Sequence, residues 1–459
     1  GLFDGLLVAL EKYGTLSFAQ VVKPAIQAAG GFAPGDEFSD FLKDLLEYHR
    51  RWTDSFWFFY PTGRAPLRGD SLELPTLAKT FESLAEAETK AQGSREQKIQ
   101  AVHDYFYKGP IAHKLADASA ALDGLITYDD LANFHAEIDQ PRSTEYRGYT
   151  VVKPGFWTQG PVMLQALQLL EGYDLKAMGH NSAAYVHTLT EALKLSFADR
   201  HRYYGDPKFV KVPLDVLLSQ EYAAERRKLI RADAASPGMP NAGDIAGFPP
   251  AIPLPSVTPG DPNPPPDTSY VSVVDRHGNA FSATPSDASS ATPVIPGIGL
   301  CPSSRGSQSW CDPNHPASVA PGKRPRLTCS PAMALRNGKA YMPFGSPGND
   351  VQPQAMLQVF LNLHVFGMDL QSAIEAPRFA TYSYPSSSEP HTYLPARLTL
   401  ESRVPRATGD ALASLGHDIK WWPELEEAAG AVCAVRVNPE TGVLEGGADP
   451  RRLAYALGW

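Results

Sequence analysis

The chain has 459 residues, of which 43% are hydrophobic and 20% are charged, and its net charge is −9. This composition is typical of a globular protein that buries a substantial core. Basic residues form no block, so neither nucleic acid nor an anionic membrane is predicted as a partner. No apolar run approaches the roughly 20 residues of a membrane span.

Residues 1–230 show mainly helical patterns. Apolar residues recur at helical spacing in three stretches (Phe3, Leu6, Leu7 and Leu10; Phe18, Val21, Val22, Ala25 and Ile26; Val186, Leu189, Leu193 and Phe197). Pro75 precedes a further helical run that continues to about Lys90, and Ser94 followed by Glu96-Gln97 is typical of an N-cap before a helix from Ile99 to Tyr107. Between these helices, Tyr146 to Val152 is predicted to form a strand.

The character of the sequence changes twice in its second half. Residues 235–267 are dominated by Pro, Gly, Asp and Asn, and they are predicted to be a flexible tail or linker. Strand patterns follow, and they predict three hairpins (270–284, 332–345 and 431–446). Helical pieces lie among them (354–366, 370–375 and 409–415). Helices around antiparallel hairpins indicate a layered α+β fold.

Cysteines and histidines give no pattern of metal ligands. The four cysteines fit no zinc motif and are predicted to be buried free thiols, although a Cys301–Cys311 disulfide remains open (Cys301, Cys311, Cys329 and Cys433). The compartment, cytoplasmic or periplasmic, is therefore left open. Ordinary surface or core positions explain the histidines of the helical part (His103, His113, His180 and His187). No metal ion or organic cofactor is predicted.

Thr268 stands where the proline-rich segment gives way to the first predicted strand, and Asp267 precedes it. This placement suits a chain that cuts itself before Thr268. The liberated α-amine, with an ordinary pKa near ~8, could then act as the base for the hydroxyl of the same residue. The alternative is that Thr268 is an ordinary strand residue, because threonine is common in strands.

An ordered set of short motifs favours self-cleavage before Thr268 over an ordinary strand threonine. It resembles the γ-glutamyltransferase family of N-terminal nucleophile hydrolases, and it spans nearly the whole chain. Before Thr268 the motifs include Tyr107-Lys108-Gly109-Pro110-Ile111-Ala112, Gly124-Leu125-Ile126-Thr127 and Ala198-Asp199-Arg200. After Thr268 they include Pro321-Gly322-Lys323-Arg324-Pro325, Gly345-Ser346-Pro347-Gly348, Ala376-Pro377-Arg378 and Ala448-Asp449-Pro450-Arg451.

The resemblance implies a four-layer αββα sandwich and autoproteolysis between Asp267 and Thr268. Residues 1–267 would form the large subunit, including the proline-rich tail 235–267 that covers the site before cleavage. Residues 268–459 would form the small subunit, with Thr268 as its N-terminal nucleophile. The family also opens with a longer N-terminal segment, which carries a core strand and a substrate-binding arginine. That segment is expected to be removed, invisible or carried separately.

The resemblance also assigns roles around the nucleophile. Ser286 falls where the family keeps a threonine that hydrogen-bonds the nucleophile and assists maturation, although it could be a turn serine after Pro285. The backbone N–H groups of Gly348 and Asn349 match the family's oxyanion hole, for which a simple glycine turn is the alternative.

The substrate pocket departs from the family's glutathione-cleaving members. Leu327 and Thr328 replace two serines that hold the substrate carboxylate, and Ser307 replaces the aspartate that holds the substrate ammonium. Arg305 appears nearby, and an arginine favours an acyl group that carries a carboxylate, or it satisfies loop carbonyls instead. These changes resemble the acylase-like branch, which includes cephalosporin acylases and oxamate amidohydrolase.

Three functions remain open. The first is a self-cleaving threonine hydrolase that acts on a small acyl amide, γ-glutamyl-like or dicarboxylic, through an acyl-enzyme. The second is a true γ-glutamyltransferase or glutathione hydrolase. The third is a non-catalytic relative that keeps the fold. The predicted partners of the enzyme are the small acyl amide and the two subunits of one precursor.

Overall fold

The computed structural model describes residues 1–257, 268–286 and 292–459, which fall into two compact units. The first unit comprises Gly1–Ile138 with Asp287–Ser304, and the second comprises Asp139–Ser286 with Arg305–Trp459. Each unit has its own buried apolar core. Among the described helices, none combines the length and the apolar character needed to cross a membrane.

The first unit is helical. Its helices are α1 (Leu2–Tyr13), α2 (Phe18–Ala29), α3 (Asp36–His49), α4 (Thr53–Phe59), α5 (Pro75–Lys90), α6 (Arg95–Tyr107), α7 (Pro110–Ala121) and α8 (Tyr128–Ala132). Local sequence sets their starts, because Ser17, Ser94 and Thr127 each form a capping box with the side chain three residues later. Pro75 and Pro110 lie in the first turns of their helices. Proline is tolerated there because an N–H in the first turn has no acceptor within the helix.

The second unit is built around strands. They are β1 (Arg142–Tyr146), β2 (Tyr149–Lys153), β3 (Val271–Val274), β4 (Ala280–Ala283), β5 (Ala332–Arg336), β6 (Lys339–Gly345), β7 (Phe379–Thr381), β8 (Arg397–Glu401), β9 (Asp418–Trp422), β10 (Cys433–Val437) and β11 (Leu444–Gly447). The main sheet has six strands in the order β1-β2-β5-β6-β10-β11. The β3–β4 hairpin and the β7-β8-β9 sheet are separate.

Helices cover one face of the main sheet. The helices of the second unit are α9 (Gly160–Leu170), α10 (Leu175–Met178), α11 (Ala183–Tyr203), α12 (Leu214–Leu217), α13 (Gln220–Arg227), α14 (Gln352–His364), α15 (Leu370–Glu375) and α16 (Arg406–Ser414). α9 and α14 pack against the sheet, and α11 packs on α9. The α+β class that the sequence predicts is therefore confirmed.

Alternation along β6 shows how the layers stack. Phe344 packs on Phe360 of α14, with ring centroids 6.1 Å apart. The next residue, Gly345, faces the ring of Tyr270, and a Cβ atom on Gly345 would lie 2.2 Å from that ring. Because successive strand residues point to opposite faces, helices lie on one side of β6 and the β3–β4 hairpin lies on the other. Only glycine permits this close approach.

Two expectations need correction, and one sheet was not predicted. Tyr146 to Val152 is not one strand, because Arg147 and Gly148 adopt left-handed conformations and turn β1 into β2. The β7-β8-β9 sheet was not predicted, since β7 has only three residues and β8 pairs with β9 in parallel. The segment 235–249 is not a free tail, because buried side chains of α11 and α13 bind its carbonyls.

The cysteines are free among the described residues, and no disulfide joins Cys301 to Cys311. Cys311 is exposed and the other three are half-buried, so the prediction of buried thiols was too strong. Burial raises the pKa of the Cys301 thiol to about 12. This thiol is therefore neutral near pH 7 and acts as a small apolar side chain.

Buried histidines make stability depend on pH. Burial lowers the pKa of His201, of His364 and of His417 to about 3 in each case. Because the folded pKa lies below the ordinary value of about 6.5, the unfolded chain binds more protons between these values. We therefore expect the contribution of these histidines to the free energy of unfolding to be complete above pH 6.5. It should fall as the pH drops towards 3, by roughly 1 kcal/mol per pH unit for each histidine. Urea unfolding at pH 8, 6 and 5 checks this, and a constant midpoint would contradict it.

Candidate active site

Thr268 is a buried residue, 6% exposed, at the head of β3. Two residues later, Tyr270 packs its ring on Gly345 and its hydroxyl lies 2.8 Å from Ser282 Oγ on β4. Burial raises the pKa of Tyr270, so its hydroxyl stays protonated. The packing of β3 against β6 thus places the head of β3 at the end of β6, where the 346–351 loop begins.

A short chain of hydrogen bonds leads to the Thr268 hydroxyl. Ser286 Oγ donates to Thr268 Oγ1 at 3.0 Å. Arg305 in turn donates to both oxygens of Ser286, from Nε to the backbone carbonyl at 2.9 Å and from Nη2 to the side-chain hydroxyl. Arg305 is itself only 8% exposed. The guanidinium therefore fixes Ser286, and Ser286 holds the threonine hydroxyl.

The loop after β6 has an unusual backbone. Gly348 has φ 115° and Asn349 has φ 48°, so two successive residues adopt left-handed conformations. A Cβ atom on Gly348 would meet Gly430 Cα at 3.2 Å. Within the described residues, neither the Gly348 N–H nor the Asn349 N–H has a hydrogen-bond acceptor. Two adjacent donors are thus available at this loop.

Arg200 of α11 supports this loop through hydrogen bonds. Its Nη1 donates to Asp350, to Gln159 Oε1 at 3.2 Å and to Ser387 Oγ at 3.1 Å. Gln159 Nε2 then donates to the carbonyls of Asn349 at 2.7 Å and of Thr328 at 2.8 Å. Arg200 is 1% exposed, so the ion pair with Asp350 is buried. A charge pair in the interior therefore orients the loop that carries the two donors.

The predicted pocket residues have different environments. Thr328 is buried, and its hydroxyl accepts a hydrogen bond from Gln308 Nε2 at 3.0 Å. Ser307 is exposed, and its carbonyl accepts from Glu389 N at 2.8 Å. Leu327 is half-buried and bonds through its backbone to Trp157. The hydroxyls of Ser307 and Thr328 therefore face different surroundings.

The structure joins Thr268, Ser286 and Arg305 directly, and it links Asn349 with Thr328 through Gln159. Asp267 lies outside the described residues, as does the tail from residue 258. Sequence reasoning missed Gln159, Gln308 and Asp350. Their only sequence signal was indirect, because Arg200 stands in one of the motifs quoted above and a buried arginine needs acceptors.

Comparison with known proteins identifies the family. The model of the γ-glutamyltranspeptidase family matches residues 1–459. The chain belongs to this family, as the ordered motifs predicted. It therefore belongs to a family of hydrolases and acyltransferases, which confirms the predicted enzyme class.

Relatives with different specificities resemble the chain to similar degrees. It is 31% identical to the glutathione hydrolase proenzyme of Escherichia coli, over 99% of this chain and 73% of that protein. It is 34% identical to an acylase proenzyme of a Pseudomonas strain, over 98% of this chain and 72% of that protein. The crystal structure of cephalosporin acylase from Bacillus halodurans is 29% identical, with a TM-score of 0.82, over 98% and 75% of the two chains.

Removal of the Arg200 charge tests the support of the loop. In Arg200→Met, Asp350 loses its buried partner, and we expect the free energy of unfolding to fall by roughly 3–5 kcal/mol. The exposed pair of Arg231 with Asp233 offers a matched control. Arg231→Met should change stability by less than about 1 kcal/mol. Denaturant unfolding measures both variants, and equal effects would contradict the role assigned to Arg200.

Proposed function

We propose that this chain is a self-cleaving threonine hydrolase, which hydrolyses a small acyl amide through an acyl-enzyme. The acyl group is γ-glutamyl-like or dicarboxylic. The observation that carries the proposal is the hydrogen bond from Ser286 to Thr268 at the head of β3, within a chain of this family. Cleavage after Asp267 gives a large subunit, 1–267, and a small subunit, 268–459.

The surroundings of Thr268 favour a nucleophilic role. After cleavage its α-amine removes the proton from Oγ1, which attacks the amide carbonyl carbon. The Ser286 hydroxyl donates to Oγ1 and so stabilises the developing alkoxide. The Arg305 guanidinium polarises Ser286 in the same direction, because it donates to the hydroxyl oxygen. Two linked donors therefore lower the cost of ionising the threonine.

The 346–351 loop suits the oxyanion of the tetrahedral intermediate. The N–H groups of Gly348 and Asn349 are adjacent donors without acceptors among the described residues. Their support by Gln159 and Arg200 keeps them in place before the substrate arrives. Donors that are held in advance need no reorganisation during the reaction, which is the main source of such stabilisation. The amine product leaves with the proton, and water then hydrolyses the acyl-enzyme.

The pocket favours an acyl group without an amine. Ser307 supplies no negative charge for a substrate ammonium, and Leu327 supplies no hydroxyl for its carboxylate. An unpaired, partly buried ammonium costs a few kcal/mol. The contacts of Arg305 with Ser286 support a positioning role for this arginine. The exposed Ser307 and the buried Thr328 remain the proposed substrate contacts.

Replacement of the nucleophile tests the mechanism. We expect Thr268→Ala to remain a single polypeptide and to lose turnover by roughly 10⁴-fold or more, because no other group supplies both nucleophile and base. The purified wild-type chain should show two bands on denaturing electrophoresis after incubation. Thr441→Ala, in the exposed turn between β10 and β11, is the control and should behave as wild type.

Two outcomes would overturn this mechanism. One is a wild-type chain that stays intact and hydrolyses neither glutaryl nor γ-glutamyl anilides, as a non-catalytic relative would. The other is a Thr268→Ala variant that cleaves itself and turns over at the wild-type rate.

A pair of anilides tests the substrate class. We expect glutaryl anilide to be hydrolysed with the higher kcat/KM, because the pocket offers the γ-glutamyl ammonium no carboxylate. Ser307→Asp should raise kcat/KM for γ-glutamyl anilide relative to glutaryl anilide by roughly tenfold. Ser414→Asp adds the same charge at an exposed position on α16 and should leave the ratio unchanged. A wild-type preference for γ-glutamyl anilide would instead support a glutathione hydrolase.

A further inference from the structure

Three potential metal ligands converge in the first unit, far apart in sequence. They are Asp4 on α1, His103 on α6 and His135 just after α8, and their ligand atoms all lie within 4.8 Å of one another. Asp4 and His103 are each 3% exposed, whereas His135 is exposed. The proposed function uses none of these residues. Because each ligand comes from a different element, no spacing motif reveals the cluster in the sequence.

Hydrogen bonds fix the orientation of the two buried side chains. Asp4 Oδ2 accepts from the backbone N–H of Ala136 at 2.6 Å, which leaves Oδ1 facing His103 Nε2 at 3.7 Å. His103 Nδ1 lies 3.2 Å from Asp104 Oδ1 and 3.2 Å from Gln100 Nε2. Gln100 Nε2 already donates to Asp104 Oδ1 at 3.0 Å, so it does not need Nδ1 as an acceptor. Because the Asp104 carboxylate only accepts, we assign the ring proton of His103 to Nδ1. The lone pair of Nε2 then points towards Asp4.

This arrangement leaves two acceptors opposed in the interior. His103 Nε2 is buried and has no hydrogen-bond partner among the described residues. A separation of 3.7 Å is too long for a hydrogen bond between Nε2 and Asp4 Oδ1. It matches two ligand atoms that each lie about 2 Å from one ion, at an angle of roughly 130°. The pair therefore has the spacing of a bound cation's ligands.

We propose that Asp4, His103 and His135 bind one zinc ion. Two imidazoles and one carboxylate are a ligand set that zinc accepts, with the fourth position left to water. The carboxylate of Asp104 on His103 Nδ1 is the outer contact that orients a metal-binding histidine. His135 now stacks on His103, with ring centroids 4.7 Å apart and planes 10° from parallel, and its exposed side chain rotates to complete the site.

A second cluster of potential metal ligands differs from this one, because protein contacts already engage its side chains. His187, Glu191 and His417 in the second unit are also close enough to share an ion. There, however, Lys194 Nζ lies 2.7 Å from Glu191 Oε1 and already supplies the positive charge. His187 and His417 also bond each other, with Nδ1 and Nε2 2.9 Å apart. His417 Nδ1 has no hydrogen-bond partner among the described residues, but the atoms through which these three side chains face one another are already paired, so we do not assign a cation to this cluster.

Zinc titration of the full chain tests the site. After treatment with EDTA and removal of the chelator, isothermal titration with Zn²⁺ should give one site per chain. We expect Asp4→Asn and His135→Ala each to weaken zinc binding by at least about tenfold. His113→Ala is the matched control, because His113 is an exposed histidine of the same unit that stacks on Tyr128. Circular dichroism confirms that each variant is folded.

His135→Ala keeps the test decisive, since an exposed side chain can be removed without disturbing the core. Cobalt provides a second readout, because Co²⁺ in a site with nitrogen ligands absorbs visible light, and His135→Ala should lose that absorption. Stoichiometric zinc binding that persists in both variants, or no binding by the wild-type chain, overturns the proposal. Neither result bears on Thr268, because anilide hydrolysis is measured separately.

Discussion

The buried charge of Arg200 is the constraint on which the candidate site depends. A buried guanidinium needs protein oxygens as acceptors, and the two Nη groups of Arg200 donate to Asp350, to Gln159 and to the 385–387 segment. Through Gln159, the same charge orients the Asn349 carbonyl, and hence the peptide plane of the loop after β6. The position of Arg200 on α11 therefore helps to set the orientation of the loop that carries the two backbone donors.

The same helix, α11, also binds the chain that precedes Thr268. Lys194 binds the Ser236 carbonyl, and Arg202 binds the carbonyls of Gly243 and Pro249. Asp199 accepts from the Gly243 N–H, and burial raises the pKa of its carboxyl despite the nearby charge of Arg226. The segment that leads towards Thr268 is thus bound to the second unit up to residue 249. A proline-rich composition alone did not predict this anchoring, because the partners lie on a helix some 40 residues earlier.

Short sequence patterns predicted the elements whose formation depends mainly on neighbouring residues. The N-cap at Ser94, apolar residues at helical spacing and the strand patterns correctly predicted helices such as α1, α2 and α6 and the three hairpins. The β7-β8-β9 sheet was not predicted, because the parallel strands β8 and β9 are not joined by a short turn that the sequence would reveal. At the site, family motifs predicted Thr268 and Ser286 as neighbours. The glutamines that join the loops left no signal, since buried hydrogen-bond networks depend on long-range contacts.

Arg305 links specificity to reactivity in the proposed enzyme. If its guanidinium served only to attract a substrate carboxylate, its donors would face the pocket, yet two of them are bound to Ser286. In the proposed enzyme, an arginine in this position acts on the acyl group through the positive field that it adds near Thr268. That field stabilises the alkoxide of the nucleophile and any carboxylate on the acyl chain, and it repels an ammonium. The uncharged side chain of Ser307 and the positive charge of Arg305 therefore favour the same class of acyl group, so we propose that the two residues act together in substrate specificity.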